Sequence, residues 1–183
     1  MPLPPPTAER TRMHVRSVQL EGYKRNDGCW DIEARLRDVK DHDYPLSSGL
    51  RKQGEAVHDM WVRVTIDAQM NILDAAACVD AMPYVGYCDR IAPDYTKLIG
   101  LNLFHGFRAA VKTLFRSTRG CSHVSELVTF LPTAALQTFA SDVHDNDDNG
   151  HKPYQLDRCH ALESHSDAVQ RYYPRWYRGQ KPG

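Results

Sequence analysis

The sequence has no net charge: its 183 residues carry 23 Lys plus Arg against 23 Asp plus Glu. A nucleic-acid binder needs a positive field to displace counterions, and an electrostatic membrane anchor needs a basic cluster. Both classes are therefore disfavoured. A small anionic ligand held by a few local arginines is still allowed. No run approaches the roughly 18 apolar residues of a transmembrane helix. The opening Met1-Pro2-Leu3-Pro4-Pro5-Pro6-Thr7 lacks the apolar core of a signal peptide, and its prolines favour an extended, solvated arm. The five cysteines are odd in number and spread from Cys29 to Cys159, whereas a disulfide framework is normally even and denser. We therefore expect reduced thiols and a cytoplasmic protein. The phosphate loops G-x-x-x-x-G-K-[ST] and G-x-G-x-x-G are absent, as are H-E-x-x-H and G-x-S-x-G. Nucleotide hydrolysis, dinucleotide binding, zincin proteolysis and the α/β-hydrolase plan lose weight accordingly.

What is present reads as an ordinary globular chain, 25% charged and 42% hydrophobic, long enough to bury a core without disulfides or structural metal. Met13 to Leu20 suggests a strand, and Asn26-Asp27-Gly28 a turn. Then Trp30, Ile32, Ala34 and Leu36 alternate with Asp31, Glu33, Arg35 and Arg37, the period-two pattern of a half-buried strand. Residues 38–56 read as a long loop. Val57 to Asp67 alternates again, with Met60, Val62, Val64 and Ile66 against Trp61, Arg63 and Thr65. Ile72 to Val79 is a further strand of small residues. Helical signals follow. Pro93 can open a short helix through Tyr95 and Leu98 that Gly100 ends. Phe104, Phe107, Val111, Leu114 and Phe115 recur at helical spacing. Ser122 can cap a second helix carrying Val124, Leu127, Val128 and Leu131, which Pro132 should kink or split. The expected class is α+β, an antiparallel β-meander of three to five strands followed by helices packed on one face. The expected layout is a flexible Pro-rich tail at 1–12 and a single α+β domain at 13–143. An acidic linker at 144–151 then leads to a C-terminal aromatic-rich segment, 152–183, docking on the domain.

Several stretches together resemble a bacterial family catalogued only as a domain of unknown function. They are Glu21-Gly22-Tyr23-Lys24-Arg25-Asn26-Asp27-Gly28, Trp30-Asp31-Ile32-Glu33, His58-Asp59-Met60-Trp61, Pro83-Tyr84 with Cys88, Gly120-Cys121-Ser122-His123-Val124-Ser125-Glu126-Leu127, and Cys159-His160-Ala161-Leu162. The resemblance runs over roughly residues 13–177. It implies a bacterial, cytoplasmic, stand-alone domain and names no substrate.

Cys121 and His123 open the second long helix. Thiolate and imidazole are zinc or iron ligands, and a helix start lowers a thiol pKa. Cys88 and Cys159 could complete a four-ligand metal site, with His160 a spare. The spacing matches no zinc-finger template, and the bland alternative is a set of small buried thiols. Cys121 could instead be a nucleophile with His123 or His58 as base. His58 enters the apolar side of its strand while Asp59 faces the other way, so the pair cannot share one ligand within regular strand. The outward row Asp31, Glu33, Arg35, Arg37 and Arg63 reads as cross-strand ion pairs, or as an arginine pocket for a carboxylate. Tyr172, Tyr173, Trp176 and Tyr177, with Arg171, Arg175 and Arg178, read as a tail sealing a sheet face, a ligand clamp or a dimer interface.

Three functions stand open. The first is a metal-binding protein, or small metalloenzyme, holding zinc or iron with Cys121, His123, Cys159 and Cys88, and with His58 as a nearby base. The second is a cofactor-free lyase or isomerase on a small organic acid or aromatic compound. It would use His58 and Asp59 as acid and base and Arg63 as carboxylate holder. The third is a non-catalytic binding or assembly module. The expected partner is a small molecule, with no nucleic acid and no membrane, and with room for a homo-oligomer through the C-terminal aromatic segment.

Overall fold

The two alternating runs build the centre of the fold. The structure is a computed structural model describing residues 3–140, 150, 152–153 and 155–179. Its strands are β1 (His14–Lys24), β2 (Trp30–Lys40), β3 (Tyr44–Leu46), β4 (Gly49–Arg51), β5 (Ala56–Ile66) and β6 (Ile72–Ala81). A 3-10 segment, Asp89–Leu98, leads to helices α1 (Phe107–Leu114), α2 (Ser122–Val128), α3 (Leu131–Phe139) and α4 (Asp167–Tyr172). The chain divides into two compact units, Met1–Thr138 and Phe139–Gly183. Among the described residues no helix is long and apolar enough to cross a membrane.

In the first unit β1, β2, β5 and β6 form one antiparallel sheet in that order, and β3 and β4 form a separate hairpin. The class is α+β, a four-stranded meander followed by helices. Alternation sorts the faces: Ile32, Ala34, Leu36, Met60, Val62, Val64 and Ile66 are each at most 1% exposed. Helix α2 packs on β2 and β5. Val124, Leu127 and Val128 of α2 and Leu131 and Ala135 of α3 are fully buried. Each Val, Leu, Ile or Met side chain so buried contributes about 1.5–3 kcal/mol. Gly22 on β1 allows α3 to approach, since a Cβ there would lie 1.8 Å from Thr138 Oγ1.

The opposite face carries the charged row, and its members pair across strands. Arg35 donates to both carboxylate oxygens of Asp59 at 2.8 and 2.6 Å while lying over the Trp61 ring. Arg63 sits 3.7 Å from Glu33, its register partner.

Three local features differ from the sequence reading. Strand β2 continues through Asp38 to Lys40. An acidic residue is tolerated at that inward position because cations and imidazoles from both neighbouring strands satisfy it. The expected loop at 38–56 therefore contains the end of β2 and the β3–β4 hairpin, whose strands are too short for a periodic signal. Pro93 lies inside the 3-10 segment rather than at its start. Pro132 does separate two helices, α2 ending at Val128 and α3 beginning at Leu131.

The second unit is small. Its α4 is capped by Ser166, whose Oγ accepts from the Val169 N–H. Asp157 accepts from the backbone N–H and the hydroxyl of Ser164. Arg171 lies over Tyr172 and Arg175 over Trp176. Of the acidic stretch expected as a linker, 144–151, all but Gly150 lie outside the described residues.

Candidate functional site

Asp38 is the centre of a buried polar group in the first unit. Register places it opposite Arg16 on β1 and His58 on β5, so the three form one cross-strand row on the inner face. Arg16 donates Nε and Nη2 to the two Asp38 oxygens, each at 2.8 Å. His14 Nε2 lies 2.9 Å and His58 Nδ1 3.0 Å from the same carboxylate. The Asp38 side chain is only 4% exposed. Burial alone would raise its pKa. The Arg16 and His14 hydrogen bonds, the Arg16 charge and His58 outweigh burial and hold it well below the usual carboxylate range. Arg16 also reaches Glu126 of α2 at 2.8 Å, tying β1 to the helix that carries the rest of the site.

An ionised Asp38 accepts only, so the neutral His58 ring carries its proton on Nδ1 and turns Nε2 away as a free lone pair. His58 is held below the ordinary imidazole value of 6.5 by burial first and by repulsion from His123 second, with Asp38 opposing. The strand is irregular on both sides of His58. Register slips between Asp38 and Val39 against β2, and between Asp59 and Met60 against β6. Such bulges re-aim side chains at sheet edges and sites.

His123 of α2 lies against His58, ring centroids 3.9 Å apart and planes tilted by 31°. One ligand atom each from Asp38, His58 and His123 falls within 4.8 Å of the others. Cys121 Sγ is 3.9 Å from His123 Nδ1. Burial pushes the Cys121 thiol up. The hydrogen bond with His123, the backbone N–H groups of Val124 and His123, and the imidazole charge more than reverse this, so its pKa is lowered.

Cys121 is positioned by buried neighbours. Gly120 has no room for a side chain, since a Cβ would meet Phe115 Cβ at 2.6 Å and the Phe115 carbonyl at 2.7 Å. The Tyr95 hydroxyl accepts the Cys121 N–H at 3.1 Å and lies 2.8 Å from Ser125 Oγ. The Tyr95 ring is fully buried and stacked on Phe115 at 4.4 Å.

These groups open onto a cleft of about 570 Å³, lined by His58, Met60, Cys121 and His123 on one side and by Pro83, Tyr84, Tyr87, Cys88, Arg90 and Ile91 on another. Clefts of this size suit small molecules. The 83–88 turn that walls it is closed by the Tyr87 and Cys88 N–H groups donating to the Tyr84 carbonyl. The β3–β4 hairpin braces it: Ser48 donates to the Pro83 carbonyl, and Arg51 to the Met82 carbonyl at 2.7 Å.

The structure thus brings together Cys121, His123 and His58, with Cys88 on the same cleft. Cys159 belongs to the second unit and is exposed. The trio His58, Asp59 and Arg63, expected for cofactor-free chemistry, is not assembled. Successive strand residues face opposite ways, so Asp59 and Arg63 sit on the outer face with Arg35 and Glu33. Sequence reasoning missed Asp38, Arg16 and Tyr95. Asp38 had a signal: it continues the inward phase Trp30, Ile32, Ala34, Leu36 by one more step. A carboxylate on an apolar face must find partners.

No curated protein and no solved structure matches the chain. A family match covers residues 14–137, which include the sheet, Asp38, His58, Cys121 and His123. The chain belongs to the family described as "Protein of unknown function (DUF2889)".

Proposed function

We propose that this protein binds a transition metal, zinc or iron, through His58, His123 and Cys121, with a small molecule reaching the metal from the cleft. The observation that carries the reading is the Asp38–His58 pair set against His123, whose Nδ1 lies 3.9 Å from the Cys121 thiol. A carboxylate that fixes the tautomer of a ligating histidine is the usual outer partner of metal centres. Ligands must be deprotonated to bind, and both His58 and Cys121 are shifted in that direction. Sulfur at about 2.3 Å and nitrogen at about 2.0 Å from a tetrahedral metal stand about 3.5 Å apart. The 3.9 Å between Cys121 Sγ and His123 Nδ1 is close to that. Three protein ligands beside a cleft suit a centre with one open position, where a metal polarises a bound group or activates water. Asp38 acts outside the ligand shell because its oxygens already serve Arg16, His14 and His58.

The test is metal content of untagged protein by plasma mass spectrometry, beside His58→Ala, His123→Ala and Cys121→Ser. Near-stoichiometric zinc or iron, lost in all three, supports the reading. Absence of metal from wild-type protein, also after incubation with either ion, overturns it. In that case the short Cys121–His123 distance favours a second reading, a thiolate–imidazole site working without a cofactor.

A further inference from the structure

The cleft contains a cation that the proposed metal centre does not use. Among the described residues lining it, Arg90 is the one lysine or arginine. Its guanidinium lies 4.9 Å over the Tyr87 ring. Asp94, the carboxylate on the same wall, is taken by Lys97 at 2.6 Å. No hydrogen bond or ion pair joins Arg90 to a described carboxylate. The aromatic rim is also uncovered, with Tyr84 50% and Tyr87 72% exposed. Large aromatics standing in solvent at a cleft mouth mark a place where something apolar docks.

We infer that the ligand of this cleft is a small aromatic carboxylate, its carboxylate on Arg90 and its ring among Tyr84, Tyr87 and Met60. This deepens the metal reading by naming the ligand class of the same cleft, and it rests on that reading only for what happens to the ligand afterwards. The flat guanidinium fork matches a carboxylate with two parallel hydrogen bonds, and ring stacking holds that fork in one plane. A single available positive charge suits a monoanion better than a phosphate dianion, which ordinarily draws several donors. Pro83, Tyr84, Tyr87 and Ile91 make the lining around Arg90 aromatic or aliphatic, with Asp94, Thr118 and Ser122 as further polar members, so the part of the ligand that packs on that apolar lining is apolar.

Benzoate is the probe, with benzyl alcohol and acetate as controls that remove the charge or the ring. Each is titrated by calorimetry into the full-length wild-type protein and into Arg90→Gln, with metal content and melting temperature measured on the same samples. The expected result is benzoate binding to wild type at least tenfold tighter than either control. Arg90→Gln should lose that preference over benzyl alcohol while its metal content and melting temperature stay at the wild-type values. Equal binding of benzoate to both proteins overturns the inference, as does equal binding of benzoate and benzyl alcohol to wild type. Acetate binding as well as benzoate removes the aromatic requirement and overturns it too, and so does no benzoate binding at millimolar concentration. A metal-free wild type that still binds benzoate through Arg90 would defeat the metal reading and leave this one standing.

Discussion

Replacing Asp38 by asparagine keeps the side-chain volume and removes the charge that organises the site. Asp38 receives four hydrogen bonds from three residues, two of them from Arg16. Asparagine has one accepting oxygen, and in either orientation its NH2 faces a donor. Removing one partner of a buried ion pair costs about 3–5 kcal/mol. The Arg16 side chain is 32% exposed and keeps Glu126, which favours the lower end, about 3 kcal/mol. In a chain of this size that corresponds to a fall in melting temperature of roughly 6–12 °C, read by circular dichroism at pH 7. Asp59→Asn is the matched control. It breaks another two-pronged arginine contact, to Arg35, but on the outer face. Both variants should lose stability, and only Asp38→Asn should also lose metal affinity, by about 10–100-fold in chelator competition. The pH dependence has a definite sign. The depressed Asp38 pKa adds stability that is fully present above the ordinary carboxylate value of 3.8 and is lost as pH falls below it. The depressed His58 pKa acts in the same direction, beginning near 6.5, because the unfolded chain takes up that proton first. Below the ordinary carboxylate value of 3.8, where Asp38 itself takes up a proton, wild type should therefore lose stability on acidification more steeply than Asp38→Asn. A melting temperature within about 2 °C of wild type would refute the assigned role of Asp38. Metal affinity equal to that of Asp59→Asn would refute the link to His58.

Other outcomes follow from single contacts. On metal-free protein, iodoacetamide at pH 7 should modify Cys121 several-fold faster than Cys78, read by peptide mass spectrometry, because the Cys121 thiol is lowered. The Cys78 thiol is raised by burial and by Asp80 and Asp59. Equal rates would remove the assigned thiolate character. Tyr95→Phe should lower stability by about 1–3 kcal/mol in urea unfolding, since it strips a partner from the Cys121 N–H and Ser125. Gly22→Ala should cost about 1–3 kcal/mol by forcing α3 off β1. Adding Thr138→Ala should recover only part of that loss, because the Thr138 Cβ itself lies 2.7 Å from the new methyl group.

Much of the fold was written in local pattern. Alternation in Trp30–Arg37 and Val57–Asp67 is a one-dimensional property, and it determined which side chains are buried and that His58 and Asp59 part company. Pro132 divided the helices because its ring and missing N–H act on the adjacent turn wherever the segment sits. Cys121 and His123 were visible as a pair because the single intervening residue, Ser122, keeps them close in any conformation. Their meeting with His58 and Asp38 was not visible. It depends on β1, β2 and β5 pairing in one register, on a bulge beside His58, and on α2 crossing the sheet at that end. None of these leaves a trace within a few residues of sequence. Strand phase alone placed Asp38 inward. Only the tertiary structure supplied the Arg16, His14 and His58 donors that make a buried carboxylate stable there, because cross-strand neighbours are set by pairing and not by distance along the chain.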